Sequence, residues 1–222
     1  MGRLLEALNR FNQRHPWSHN DVHAGWVLRQ AEKTRRDGGE VALDIGCGSG
    51  NLLARLSKKF SRVVGVEADR ATADAARSAT RGLPNVRVVD GAFPVDDRRY
   101  DFVSLVAVLH HLPLAQGVAA ARAAVAPGGR LVIVGLSREE GRVDLVLSLM
   151  SVILNPVVGM MKHPRRAEAM PPGMTAPTAP ASDSYFEIRD VLRELLPGVR
   201  MRRGLFWRYR AVWRDPRHPT LG

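Results

Sequence analysis

Val41-Ala42-Leu43-Asp44-Ile45-Gly46-Cys47-Gly48-Ser49-Gly50-Asn51 is the stretch that decides the fold. A short apolar run bounded by glycines reads as a buried strand. It leads straight into a helical pattern, Asn51 to Lys59, with Leu52, Leu53 and Leu56 on one face. Working outward, Arg62-Val63-Val64-Gly65-Val66 is a second strand and Ala71 to Thr80 an alanine-rich helix. Val86-Arg87-Val88-Val89 and Tyr100 to Val106 are the third and fourth strands. Val118 to Val125 is helical, Pro127-Gly128-Gly129 a turn, and Arg130 to Val134 the fifth strand. Alternating helices and continuously apolar strands imply a doubly wound parallel sheet, covered on both faces and joined by right-handed crossovers.

The ending changes character. Glu187 to Leu196 reads as a helix stopped by Pro197-Gly198. Val199–Leu205 and Trp207–Trp213 are close in sequence, so they pair antiparallel as an edge hairpin. One structural domain results, in four parts: residues 1–39, an N-terminal helical lid; 40–136, the ligand-binding core; 137–184, an insertion and loop; and 185–222, the helix and hairpin that complete a seven-stranded sheet.

Composition narrows the class. The 222 residues are 45% hydrophobic and 25% charged, as in a soluble globular protein. One cysteine, Cys47, excludes both a disulfide scaffold and a cysteine-rich zinc module. The net charge is +11, and only Lys33, Lys58, Lys59 and Lys162 among the cations are lysines. The start lacks a signal-peptide pattern. The uncharged run Leu145–Met161 is too short to span a bilayer and is broken by Asn155-Pro156. A cytoplasmic protein is expected.

In open α/β sheets, ligands bind beyond the carboxyl ends of the strands. Gly46, Gly48 and Gly50 let the backbone after strand one turn sharply and approach a ligand with no Cβ in the way. A dinucleotide fingerprint needs glycine where Asn51 stands. Asp44, just ahead of the glycines, would repel a pyrophosphate and suits a cationic group. Glu67, ending strand two, suits the two hydroxyls of a ribose. Asp90-Gly91-Ala92, after strand three, suits an exocyclic amine. A ligand with a cationic amino-acid end, a ribose and an adenine is S-adenosylmethionine.

These residues resemble the class I S-adenosylmethionine-dependent methyltransferases. Asp44 to Gly50 is similar to their first motif and Val63-Val64-Gly65-Val66-Glu67 to their second. Tyr100-Asp101-Phe102-Val103 with Val108-Leu109-His110-His111-Leu112 is similar to their fourth-strand motif, and Ala126-Pro127-Gly128-Gly129-Arg130-Leu131 to their turn into strand five. The resemblance covers residues 40–136 and implies a Rossmann-like fold. It implies a cofactor site at Asp44, Gly46, Cys47, Gly48, Gly50, Glu67, Ala68, Asp90, Gly91, Ala92 and Val106. The third motif departs from the usual Gly-Asp-Ala, so either Asp90 or the backbone near Ala92 meets the adenine.

The methyl acceptor is read from what surrounds that site. His110 and His111 follow strand four, where an imidazole can take a proton from a hydroxyl; a packing role is the alternative. His19 and His23 are weaker candidates, and Arg29 or the His15–Asn20 stretch is a candidate holder of the methionine carboxylate. Cys47 reads as a small loop residue, which disfavours cytosine C5 chemistry. The Asn/Asp-Pro-Pro-aromatic run of base amino-methylation is absent after strand four. No His, Cys and carboxylate cluster has ligand spacing, so no metal is expected. Leu145–Met161 is suited to wall a hydrophobic pocket or to form a core or dimer helix; a shallow contact with a membrane or a carrier-bound lipid is a third reading. A small, apolar or aromatic acceptor is the leading expectation. The alternatives are RNA, held by Arg200, Arg202, Arg203, Arg208, Arg210, Arg214 and Arg217, and a non-catalytic cofactor-binding partner protein. The arginines equally suit a half-exposed edge strand guarded against pairing.

Overall fold

The computed structural model describes residues 19–94, 97–138, 140, 151, 181–204 and 208–216. The first half of the expected lid, the apolar run Leu145–Met161 apart from Ser151, and Arg217 lie outside them. The described chain runs α1 (His19–Arg36), β1 (Val41–Ile45), α2 (Asn51–Leu56), β2 (Arg62–Glu67), α3 (Arg70–Thr80), β3 (Val86–Asp90) and β4 (Tyr100–Val106). A 3-10 turn (Leu109–His111), α4 (Leu114–Ala123), β5 (Val125–Leu136), α5 (Tyr185–Leu195), β6 (Arg200–Arg203) and β7 (Arg208–Arg214) follow. The strands form one seven-stranded sheet in the order β3-β2-β1-β4-β5-β7-β6. β1 to β5 pair in parallel, and β7 runs antiparallel to both β5 and β6.

The period-two side-chain alternation of the strands sorts two apolar layers. Ala42, Val63, Phe102, Val132 and Val134 face α1 to α3, together with Val27, Ala31, Leu53, Leu56 and Ala76. Leu43, Ile45, Val64, Val66, Val103, Leu105, Leu131 and Ile133 face α4 and α5. α1 is a layer of the core along its second half, since Val27 and Ala31 are fully buried. Two helices start where their sequence provides a cap. Asp69 accepts the Thr72 N–H at 2.8 Å, and Ser184 and Glu187 make a reciprocal capping box on α5. No helix among the described residues is long and apolar enough to cross a membrane.

Three local expectations are corrected. α4 begins at Leu114, directly after Pro113, not at Val118. The Pro127-Gly128-Gly129 turn is an irregularity inside a longer β5, where the pairing jumps from Tyr100↔Val125 to Phe102↔Arg130. β7 is an interior strand, because β6 pairs with its free side. The alternation along β7 is as read, with Tyr209, Ala211 and Trp213 buried, but the edge belongs to β6.

Candidate functional site

The strand order reverses at β1, which lies between β2 and β4, so the carboxyl ends of these strands border the crevice where open sheets bind ligands. The loop after β1 is clamped from behind. The N–H groups of Gly46 and Cys47 both donate to the Val66 carbonyl, at 2.8 and 3.0 Å. Gly46 has φ +65°, and a Cβ there would fall 2.3 Å from a Val108 methyl carbon. Only glycine fits between the two loops. Gly48 is the converse: its φ is +54°, and no atom lies within 4 Å of where its Cβ would be. Its backbone borders open space.

Register brings the polar groups to this point. Asp44 pairs with Gly65 on one side and Ser104 on the other. The Asp44 carboxylate is buried, and the Ser104 hydroxyl donates to its Oδ1 at 2.7 Å. Burial pushes the Asp44 pKa up to about 7; the Ser104 bond lowers it and the charge of Glu67 adds to the rise. Glu67 is half-buried at the end of β2. Its Oε2 accepts the Gly48 N–H at 2.9 Å and its Oε1 the Asp69 N–H at 3.1 Å. One carboxylate therefore ties the glycine loop to the start of α3. Burial, then the charges of Asp44 and Glu67, push the Cys47 thiol well above its ordinary pKa, so it stays protonated and is no nucleophile.

At the end of β3, Asp90 and Ala92 are exposed, and Gly91 donates its N–H to the Glu67 carbonyl at 2.9 Å. Ala68 is exposed and Val106 half-buried at the end of β4. Ala107 has φ +58°, the left-handed region that costs a non-glycine residue about 1–2 kcal/mol, and its N–H donates to Val134 at 2.7 Å. The strain sits at the turn that places Val108 under Gly46.

His110 and His111 lie side by side beyond this turn, their rings tilted by 40° with centroids 4.0 Å apart. His111 is exposed. His110 is half-buried and its Nδ1 has no hydrogen-bond partner. Burial first, then His111 and Arg208, bring the His110 pKa down to about 4, which leaves a neutral imidazole at neutral pH. His23 is buried at the other side of the sheet end, its Cε1 3.3 Å from the place of a Cβ on Gly204. Arg29 lies in electrostatic reach of Arg210, and among the described residues no hydrogen bond or ion pair joins it to the glycine loop. The side chains of the His15–Asn20 stretch lie outside the described residues.

Comparison with known proteins bears on the same residues. The sequence profile of a family described as "Methyltransferase domain" matches residues 43–133, from β1 into β5. The chain is 28% identical over 209 residues to an uncharacterized methyltransferase of Mycobacterium tuberculosis, covering 90% of this chain and 98% of the relative. Its backbone is similar to the crystal structure of a SAM-dependent methyltransferase from Aquifex aeolicus, with a TM-score of 0.52 at 19% identity, over 83% of this chain and 89% of that one. Residues 43–133 are a methyltransferase domain, and the chain has the fold of the class I S-adenosylmethionine-dependent methyltransferases. A higher identity, 40% over 102 residues, is found with an uncharacterized transposon protein of Streptomyces fradiae, but the match covers 43% of this methyltransferase and only 30% of that protein.

Two residues of this candidate site escaped the sequence reading. Ser104 was signalled only as one polar residue in the otherwise apolar Phe102–Val106, and its partner Asp44 is 60 positions away. Arg208 was one of many arginines; only strand pairing sets it opposite Leu136 and within electrostatic reach of His110.

Proposed function

We propose that this methyltransferase transfers the methyl group of S-adenosylmethionine to a small, apolar or aromatic acceptor at O, N or C. The observation that carries the cofactor site is the meeting of Asp44, Glu67 and the Gly48 backbone at the ends of β1 and β2. A buried carboxylate raised to about 7 beside a second carboxylate suits a cationic group, which would relieve both burial and repulsion. Open space over Gly48 suits a ligand lying against backbone.

In this reading Asp44 faces the cationic amino-acid end, and Gly46, Cys47, Gly48 and Gly50 shape the loop beneath it. Glu67 accepts from the ribose hydroxyls, with Ala68 alongside. Asp90, Gly91 and Ala92 border the adenine, and Val106 packs against the cofactor from β4. The bound cofactor supplies a methyl group on a cationic sulfur, transferred by in-line displacement. The protein's own contribution is alignment and water exclusion. Where the acceptor is a hydroxyl, the imidazole of His111 or His110 takes its proton as the new bond to carbon forms.

The apolar rim Val106-Ala107-Val108-Leu109 and the uncharged sequence Leu145–Met161 support an apolar acceptor. The test is calorimetric titration of the full chain with S-adenosylmethionine and its demethylated product, repeated on Gly48→Arg. Micromolar binding that disappears in the variant is the expected result. A folded wild-type protein that binds neither compound would end the reading. For the base, His111→Ala should lower turnover without changing cofactor affinity; unchanged turnover removes His111 from that role.

A further inference from the structure

On the face of the sheet that carries α1 to α3, the first half of α1 reaches the C-terminal hairpin, where His23 Cε1 lies 3.3 Å from the place of a Cβ on Gly204, and its second half packs further in. Its buried Val27 and Ala31 pack with Phe102, Val132 and Val134 of β4 and β5. Beyond them the sheet continues as a floor of guanidinium groups. Arg202 of β6 stands directly opposite Arg210 of β7, and Arg200 is opposite Val212. Arg200 and Arg202 are exposed, and Arg210 is half-buried. α1 borders this floor. It turns Trp26 and Arg29 toward it: the Arg210 guanidinium lies 5.4 Å from the centroid of the Trp26 ring. Burial, then the like charges of Arg29 and Arg202, lower the Arg210 pKa, so these groups act on one another.

Counter-charge is lacking. Among the described residues no ion pair joins Arg29, Arg200, Arg202 or Arg210 to a carboxylate. The remaining long stretches of sequence carry more cations than carboxylates. Residues 1–18 carry Arg3, Arg10 and Arg14 against Glu6, and residues 141–180 carry Arg142, Lys162, Arg165 and Arg166 against Asp144 and Glu168. Protection of an exposed edge accounts for the arginines of β6. It does not account for Arg210, because β7 is an interior strand. Like charges directly opposite across strands are destabilising.

We propose that the step between α1 and the β6–β7 hairpin is a track for single-stranded nucleic acid. Arg200, Arg202, Arg210 and Arg29 meet backbone phosphates, and Trp26 walls a base. Alternate residues of a strand stand about 6.7 Å apart on one face, a linear array suited to a linear polyanion. The planar guanidinium fork matches phosphate oxygens two at a time, and an aromatic wall beside a basic groove accepts any base. A flat bilayer would be held off this floor by the ridge of α1. The surface lies on the flank of the sheet, away from the glycine loop, so the proposal goes beyond the methyl-transfer reading and does not depend on the acceptor.

The test is fluorescence anisotropy with a labelled 20-nucleotide single-stranded RNA of mixed sequence, across a salt series, on the full chain. Wild type, the R202Q/R210Q variant and the R202E/R210E variant are compared, with circular dichroism to confirm that each is folded and calorimetry to read S-adenosylmethionine affinity. Three or four phosphate contacts give a slope of log affinity against log salt of about −2 to −3. The Gln variant should lose tenfold or more in affinity and about 1.4 of that slope, the share of two contacts. The Glu variant should not bind, while cofactor affinity stays unchanged in both. Equal RNA affinity in all three proteins overturns the proposal. So does binding to vesicles containing 30% phosphatidylglycerol with none to RNA, which would assign the surface to a membrane, or binding to neither. RNA binding in a protein that ignores the cofactor would leave this proposal standing and remove the methyl-transfer reading.

Discussion

Two regions on the same face of the sheet have opposite electrostatics. At the ends of β1 and β2 two carboxylates, Asp44 and Glu67, converge on a glycine loop, and Asp44 is buried. At the β7–β6 flank the guanidinium groups of Arg29 and Arg202 act on that of Arg210, which lies against Trp26, and all three are half-buried or exposed. Each gathers like charge at a cost to the free protein, which is how groups awaiting an oppositely charged ligand behave. The cost differs with burial: a desolvated carboxylate shifts its own pKa, whereas an exposed arginine is screened by water and salt.

The largest effect that breaks the comparison is at the loop. Gly46→Val forces a side chain into Val108 at a left-handed φ, and we expect a loss of about 3 kcal/mol or more in denaturant unfolding. Glu67→Gln weakens two bonds from backbone N–H groups to a charged acceptor, and cofactor affinity by calorimetry should fall about tenfold to a hundredfold.

Next comes pH. Asp44, with its pKa raised from 3.8 to about 7, keeps its proton when folded while the unfolded chain releases it, so its contribution makes stability fall as pH rises through that window. His110, lowered from 6.5 to about 4, acts in the opposite sense: the unfolded chain holds more protons, and stability rises with pH between those values. In Asp44→Asn the fall should vanish and the rise below pH 6.5 should stand alone, as read by unfolding at a series of pH values. Over the same series, cofactor affinity of the wild type should increase as Asp44 ionises and that of the Asn variant should not. The smallest effect sharpens the contrast. Arg202→Glu, opposite Arg210, should stabilise the protein by about 0.5 kcal/mol, a gain at the flank where every change at the loop is a loss.

Much of this was legible along the chain. β1 and β4 matched the apolar runs that announced them, because a strand covered on both faces needs apolar side chains in succession. The loop was legible because Asp44, Gly46, Gly48 and Gly50 are contiguous, so one turn of backbone carries their meaning. Ser104 and Arg208 were not, since each acquires its role from a strand paired beside it. The Pro127-Gly128-Gly129 segment misled for a related reason. Gly128 has φ +76°, and Gly129 passes so close to the Asp101 carbonyl that a Cβ would lie 2.8 Å from it, which lets the chain bulge and resume the same strand.

The sequence by itself determined the alternation of strands and helices, the glycine loop and the acidic residues that end β1 and β2, because hydrophobic period and backbone freedom are local properties. Only the tertiary structure decided that β7 lies inside the sheet with β6 at its edge. Strand pairing joins residues far apart in the chain, and it set Arg210 against Arg202 just as it set Asp44 against Ser104, while the packing of α1 on the sheet brought Trp26 to Arg210.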